Sequence, residues 1–216
     1  VYTFIQIMSV MISWWRPVSI FESRFNSFAA WCTGGEFCHA DLCLHVEPGM
    51  LTSALTKAMA LNDSDCNLAI EECFFSDPVA RQKLNGSDKL FVSFSALWGM
   101  RLSARVLRAT ATTAWEHTPL EDHADVHWEA VTGVQDIQKI TDFCVAQLGK
   151  RYATSSAILS ATGTDCSLFK DESKKFCSEL CVDALQQDGI LENLNAYTVT
   201  PNKLYQEIRI WNAQNM

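Results

Sequence analysis

The sharpest periodic signal in the chain is Lys174-Lys175-Phe176-Cys177-Ser178-Glu179-Leu180-Cys181-Val182-Asp183-Ala184-Leu185. Cys177, Leu180, Cys181, Ala184 and Leu185 recur at i, i+3, i+4, i+7 and i+8, the spacing of one buried helix face. The preceding stretch from Gly163 to Ser173 has little helical character, which places Cys177 in the first turn. There the helix dipole and the two lysines lower a thiol's pKa and raise its thiolate fraction. A second reading stands beside this one. A cysteine on an apolar stripe is most often a small core residue, and the helix alone favours that reading.

The 216 residues carry a net charge of -8, with no basic run interleaved with aromatics, which argues against a nucleic-acid surface. With 48% hydrophobic residues the chain can bury a sizeable core. Its nine cysteines are odd in number and lie mostly inside apolar segments, without paired CxxC motifs. That pattern suits reduced thiols rather than a disulfide framework or a zinc ribbon. The expected setting is a reducing compartment such as the cytoplasm. The chain begins at Val rather than Met, as a processed or partial chain does. The apolar opening, Val1 to Trp15, lacks a basic flank ahead of it and reads as a buried strand rather than a signal peptide or membrane span. Trp14-Trp15 followed by Arg16 also offers a weaker reading, peripheral contact with a membrane interface.

In chain order, Phe21, Phe25 and Phe28 mark a helix that ends at Thr33-Gly34-Gly35. Glu36 to Val46, bracketed by Gly35 and Pro48-Gly49, reads as a strand with His39, Asp41 and Cys43 on one face. Cys38, Ala40, Leu42 and Leu44 take the other. Residues 50 to 62 read as a short helix or irregular insertion, and 67–75, 90–97 and 125–131 as strands. Residues 99–114 are ambiguous, because Arg101, Arg105 and Arg108 have helical spacing while the following threonines prefer strand. Ile137, Ile140, Phe143, Cys144 and Leu148 define an amphipathic helix ending near Gly149. Thr200-Pro201 opens a short final helix, with Thr200 as N-cap. The simplest account is one α+β domain over 1–216, with an insertion or variable region at about 50–125.

A cysteine nucleophile needs a base in hydrogen-bond reach and a group that orients the base. His39, with Asp41 two residues on and pointing the same way, meets that description. A Cys/His pair by itself is weak, since five histidines and nine cysteines give many accidental pairs. His117, His123 and His127 lie among acidic residues, but their spacing matches no metal motif and suits a solvated acidic loop. His45 shares the face of His39 and reads as a strand-end histidine or a residue behind the site.

Four segments taken together carry a resemblance. Phe37-Cys38-His39-Ala40-Asp41-Leu42 resembles the "S-H-V-E-L" strand of the circularly permuted papain-like hydrolases related to NlpC. Gln147-Leu148-Gly149-Lys150-Arg151-Tyr152 is similar to their "Q-x-G-K-P-Y" segment, and Phe176-Cys177-Ser178-Glu179-Leu180-Cys181 to their "F-C-S-E-L-V" nucleophile helix. Thr200-Pro201-Asn202-Lys203-Leu204-Tyr205 resembles the "T-P-N-D-L-Y" close. Histidine first and cysteine last is the order of the permuted branch, which includes bacterial and large-DNA-virus proteins and relatives of lecithin retinol acyltransferase. The match is dense over 134–210, clear at 30–46 and thin between 50 and 125.

The resemblance implies a permuted papain-like fold, an antiparallel sheet packed against a nucleophile-bearing helix. It implies Cys177 as nucleophile, His39 as general base and acid, and Asp41 as orienter. Asp41 stands where the family often has the longer glutamate, so Glu71 or Glu72 is an alternative third residue. Arg151 replaces the usual proline before Tyr152, which implies a different loop there. The implied oxyanion donor is the backbone N–H of Cys177. The function expected is a thiol hydrolase or acyltransferase acting on a peptide, another amide or a lipid ester, without cofactor or metal. The alternative is a catalytically silent structural or interaction protein, such as a viral particle component, whose partners are other proteins in an assembly.

Overall fold

A computed structural model describes residues 10–17, 27, 30, 33–60, 89–96, 102–110, 126–160, 171 and 173–216. Five strands form an antiparallel sheet: β1 (Val10–Trp15), β2 (His39–Val46), β3 (Lys89–Ser95), β4 (Ser103–Thr110) and β5 (Val126–Ala130). Their order is β4-β3-β2-β1-β5, which puts the histidine strand in the middle. The α-helices given whole among the described residues are α1 (Pro48–Ala60), α2 (Ile137–Ala146), α3 (Thr154–Ser160), α4 (Cys177–Gln186) and α5 (Pro201–Asn215). A parallel two-residue pair, β6 (Arg151–Tyr152) with β7 (Lys174–Lys175), lies just ahead of α4 in the chain.

Strand alternation sorts β2 as its sequence pattern requires. Ala40, Leu42, Leu44 and Val46 join Val10, Ile12 and Trp14 of β1 in the main core. Cys43 faces the other way, against Met11 and Phe91, with Trp128 packed beside them. The apolar stripe of α4 covers the first face. Leu180, Cys181, Ala184 and Leu185 are at most 2% exposed, and each buried leucine contributes about 1.5–3 kcal/mol by leaving water. Helix α4 packs on β2, α2 and α5, so it is enclosed by the sheet and two helices.

Several expectations are sharpened or corrected. Residues 48–60 form a regular helix, α1, tied to α2 by Lys57–Asp142 at 2.6 Å and by Gln138 Nε2 donating to Met50 O at 3.2 Å. The ambiguous 99–114 stretch holds strand β4. A β-bulge opposite Phe91/Val92 lets Arg108 pair with Phe91 and Arg105 with Ser93, so a three-residue interval on β4 faces a two-residue interval on β3. The bulge accommodates the three-residue step from Arg105 to Arg108 within a strand. The last helix runs to Asn215, well past the short segment expected. Helix α3 and the β6–β7 pair carry no periodic signal that the sequence reading used. The expected helix near 19–31, the strand at 67–75, and residues Glu71, Glu72, His117 and His123 lie outside the described residues, apart from Ser27 and Ala30, both helical.

Candidate active site

Cys177 is the first residue of α4, after Phe176 in extended conformation (φ -108°, ψ 170°). Each neighbour in the motif fixes this helix start. Ser178 Oγ donates to Val199 O at 2.6 Å in a buried contact. Glu179, at the third helical position, accepts from the Phe176 N–H at 3.2 Å, satisfying a donor that the helix leaves open. Leu180 enters the core, and its N–H closes the first helical turn on Phe176 O at 2.9 Å.

His39 opens β2 and is 5% exposed. Its Nε2 lies 2.6 Å from Asp41 Oδ1 and 3.3 Å from Ser95 Oγ. Asp41 Oδ2 accepts from Trp15 Nε1 at 3.1 Å, so the carboxylate is held from β1 while it holds the imidazole. A residue two positions along the same strand face needs no longer side chain to reach the ring; the aspartate suffices. The imidazole also hydrogen-bonds the Cys177 thiol. With Nε2 engaged by Asp41, Nδ1 is the nitrogen left for the sulfur. The structure therefore brings Cys177, His39 and Asp41 together.

Electrostatics follow from that contact. Burial pushes the Cys177 thiol up, but the His39 charge and hydrogen bond, with backbone bonding at Ala40 and Ser178, outweigh it and hold the thiol below its ordinary range. Among hydrogen bonds, those donated to the sulfur are the ones that lower a thiol's pKa, so these backbone groups are N–H. Burial disfavours the His39 imidazolium, yet Asp41 and the Cys177 thiolate raise it above the usual histidine value. The thiolate–imidazolium pair is thus the favoured form between the two shifted values.

The other described cysteines behave differently. Cys38 donates to Trp15 O at 3.3 Å, and burial together with the Cys177 charge pushes its thiol up to about 12. Cys43, Cys144 and Cys181 are raised by burial. Cys181, one turn beyond Cys177, is a core residue that touches Ala40 O at 3.9 Å.

Tyr152 is the site residue that the sequence reading quoted in a motif without giving it a part. Its hydroxyl hydrogen-bonds Cys177, and burial, followed by the thiolate's charge, raises its pKa well above the ordinary value. It therefore remains a protonated donor at neutral pH. The Gln147-Tyr152 segment is fixed by a pair of backbone bonds, Leu102 N–H to Lys150 O at 2.9 Å and Gly149 N–H to Leu102 O at 3.0 Å. Gly149 turns there with φ 82°, which a side chain disfavours.

Asn202 explains why a C-terminal motif accompanies the histidine strand. Its Oδ1 accepts from the Phe37 N–H at 2.9 Å, and its Nδ2 donates to Phe37 O at 2.9 Å and Thr33 Oγ1 at 2.6 Å. The amide thereby clamps the chain two residues before His39. Gly35 lies so close that a Cβ there would fall 2.2 Å from Asn202 Oδ1. The other described histidines, His45 and His127, are elsewhere. His45 is buried near the far end of β2, opposite Phe91. His127 lies on β5 rather than in a solvated loop, its ring 5.2 Å from Tyr205 and 6.0 Å from Trp14. Trp14, suggested for a membrane interface, is fully buried. No described helix is long and apolar enough to cross a membrane.

Compared with protein-family models, curated proteins and solved structures, the chain finds no match.

Proposed function

We propose that this chain is a thiol hydrolase or acyltransferase of the permuted papain-like kind, acting on an amide or ester through Cys177, His39 and Asp41. The observation that carries the reading is the continuous chain of contacts from the half-buried Trp15 through the buried Asp41 and His39 to Cys177. The arrangement of a cysteine at a helix start against an antiparallel sheet whose central strand carries the histidine supports the same reading.

In the proposed cycle the Cys177 thiolate attacks the carbonyl carbon, and the carbonyl π pair moves onto oxygen. Tyr152 O–H, beside the sulfur, donates to that oxyanion with the backbone N–H at the helix start. Collapse re-forms the carbonyl and expels the amine or alkoxide, which takes the His39 proton. Water, or an acceptor alcohol or amine, then gives a proton to His39 and attacks the thioester, releasing the acid or transferred acyl group and the Cys177 thiolate. Asp41 stabilises the imidazolium throughout.

The test is covalent capture of the acyl-enzyme. Activated esters and peptide amides are offered to the protein, and intact mass followed by peptide mapping locates the adduct. An acyl group on Cys177, absent in Cys177→Ala and His39→Ala, is the expected result. Turnover that survives Cys177→Ala, or acylation spread over all cysteines, contradicts the proposal and favours the silent structural reading.

A further inference from the structure

Lys175 stands where the strand that holds Tyr152 meets the helix that holds Cys177. Its backbone in β7 pairs with Tyr152 in β6, and its carbonyl accepts from the Ala153 N–H at 3.0 Å. Its Nζ donates to Glu179 Oε1 at 2.9 Å and to Asp183 Oδ2 at 2.5 Å, both on α4. The Lys175 side chain is 8% exposed and that of Glu179 only 1%. A cation this deeply buried is retained only with such partners. The ammonium also lies 5.6 Å from the Tyr197 ring centroid.

We propose that Lys175 is a positioning residue for the candidate nucleophile, neutralising Glu179 beneath the start of α4 and holding the Tyr152 strand to the Cys177 helix. The proposal rests on the reading of Cys177 as the nucleophile. Glu179 is two residues beyond Cys177, in the turn whose N–H groups supply the dipole's positive end. It already takes the Phe176 N–H. A bare carboxylate in that place opposes a thiolate; a carboxylate paired with Lys175 does not. The other groups facing Cys177 are His39 on β2, with Asp41 behind it, Tyr152 on β6, and Cys38 just ahead of β2. Cys181 follows on its own helix, and Asp183 lies beyond it on the Lys175 ammonium. Among these, Lys175 acts on Cys177 only through Glu179, Asp183 and the β6–β7 pairing.

The experiment compares wild type, Lys175→Met, Glu179→Gln and the double variant. It follows the rate of Cys177 alkylation by iodoacetamide against pH, resolved by peptide mass spectrometry. Lys175→Met is expected to move the thiolate midpoint upward by about one pH unit, an about tenfold slower reaction below it. Glu179→Gln alone is expected to move the midpoint down, since Lys175 then faces one carboxylate fewer. The double variant is expected to return toward the wild-type midpoint even though its melting temperature stays low, a recovery that a purely structural tie does not give. Unmoved midpoints in Lys175→Met, or a double variant as shifted as the single, overturn the proposal. If Lys175→Met does not fold, an unmoved midpoint in Glu179→Gln overturns it instead. Wild-type Cys177 that reacts no faster than the other thiols fails the nucleophile reading itself, whereas a selective Cys177 with unmoved midpoints fails Lys175 alone.

Discussion

His39 has one nitrogen committed to Asp41 and the other left for Cys177, so its protonation state ties the three side chains together. Asp41→Asn removes the charge that supports the imidazolium while keeping the size. His39 is then expected to titrate lower, with turnover reduced by about 10²–10⁴-fold; an NMR titration of the imidazole and acyl-transfer rates check it. The sign of the pH dependence follows from the two shifts. Reactivity rises as pH climbs through the lowered Cys177 value, and the proton that His39 gives to a leaving group is lost as pH climbs through the raised His39 value. At this scale the pairing of His39 with Asp41 was legible, because two residues on one strand face must meet. Trp15 and Ser95 were not, since only the register Trp15↔His39 and the end of β3 at Ser95 bring them to the carboxylate and the ring.

Beyond their apolar packing, the elements that carry the site are tied by single polar residues. Asn202 links α5 to the approach of β2, and Ser178 links α4 to the turn before α5. Asn202→Ala leaves the buried Phe37 N–H and carbonyl without their partner, which is expected to cost about 1–3 kcal/mol per unsatisfied group. Urea denaturation measures that loss. Gly35→Ala is expected to destabilise as well, because its Cβ meets the same amide oxygen at 2.2 Å. Helices α2 and α4 were readable from their apolar spacing, and β2 from its length and the Gly35 and Pro48-Gly49 that bracket it. Helix α3 and the β6–β7 pair were not, because two-residue strands and a seven-residue helix have too few positions to set a period. The bulged strand β4 was ambiguous for a related reason: one inserted residue sets an interval of three on β4 against an interval of two on β3.

Across the molecule, the α4 stripe is the shared wall of the core, facing β2 on one side and α2 and α5 on others. Leu180→Ala is expected to destabilise by about 2–5 kcal/mol, through lost burial and the cavity left behind. Helix α4 thus combines the two readings its sequence allowed: Cys181 and its apolar neighbours form core, while Cys177 at the helix's first position meets His39. The mixed α+β class followed from alternation and helix spacing. The order of strands did not, since it depends on pairings between segments far apart in the chain.

The central claim is that Cys177 is activated by His39, which holds its thiol below the ordinary range. The most direct measurement is the alkylation rate of each cysteine by iodoacetamide near pH 7, in wild type and in His39→Ala. The account predicts Cys177 labelling far ahead of Cys38, Cys43, Cys144 and Cys181, with the advantage lost in His39→Ala. Equal labelling of Cys177 and Cys38 in the folded wild-type protein, or a Cys177 rate unchanged by His39→Ala, contradicts it.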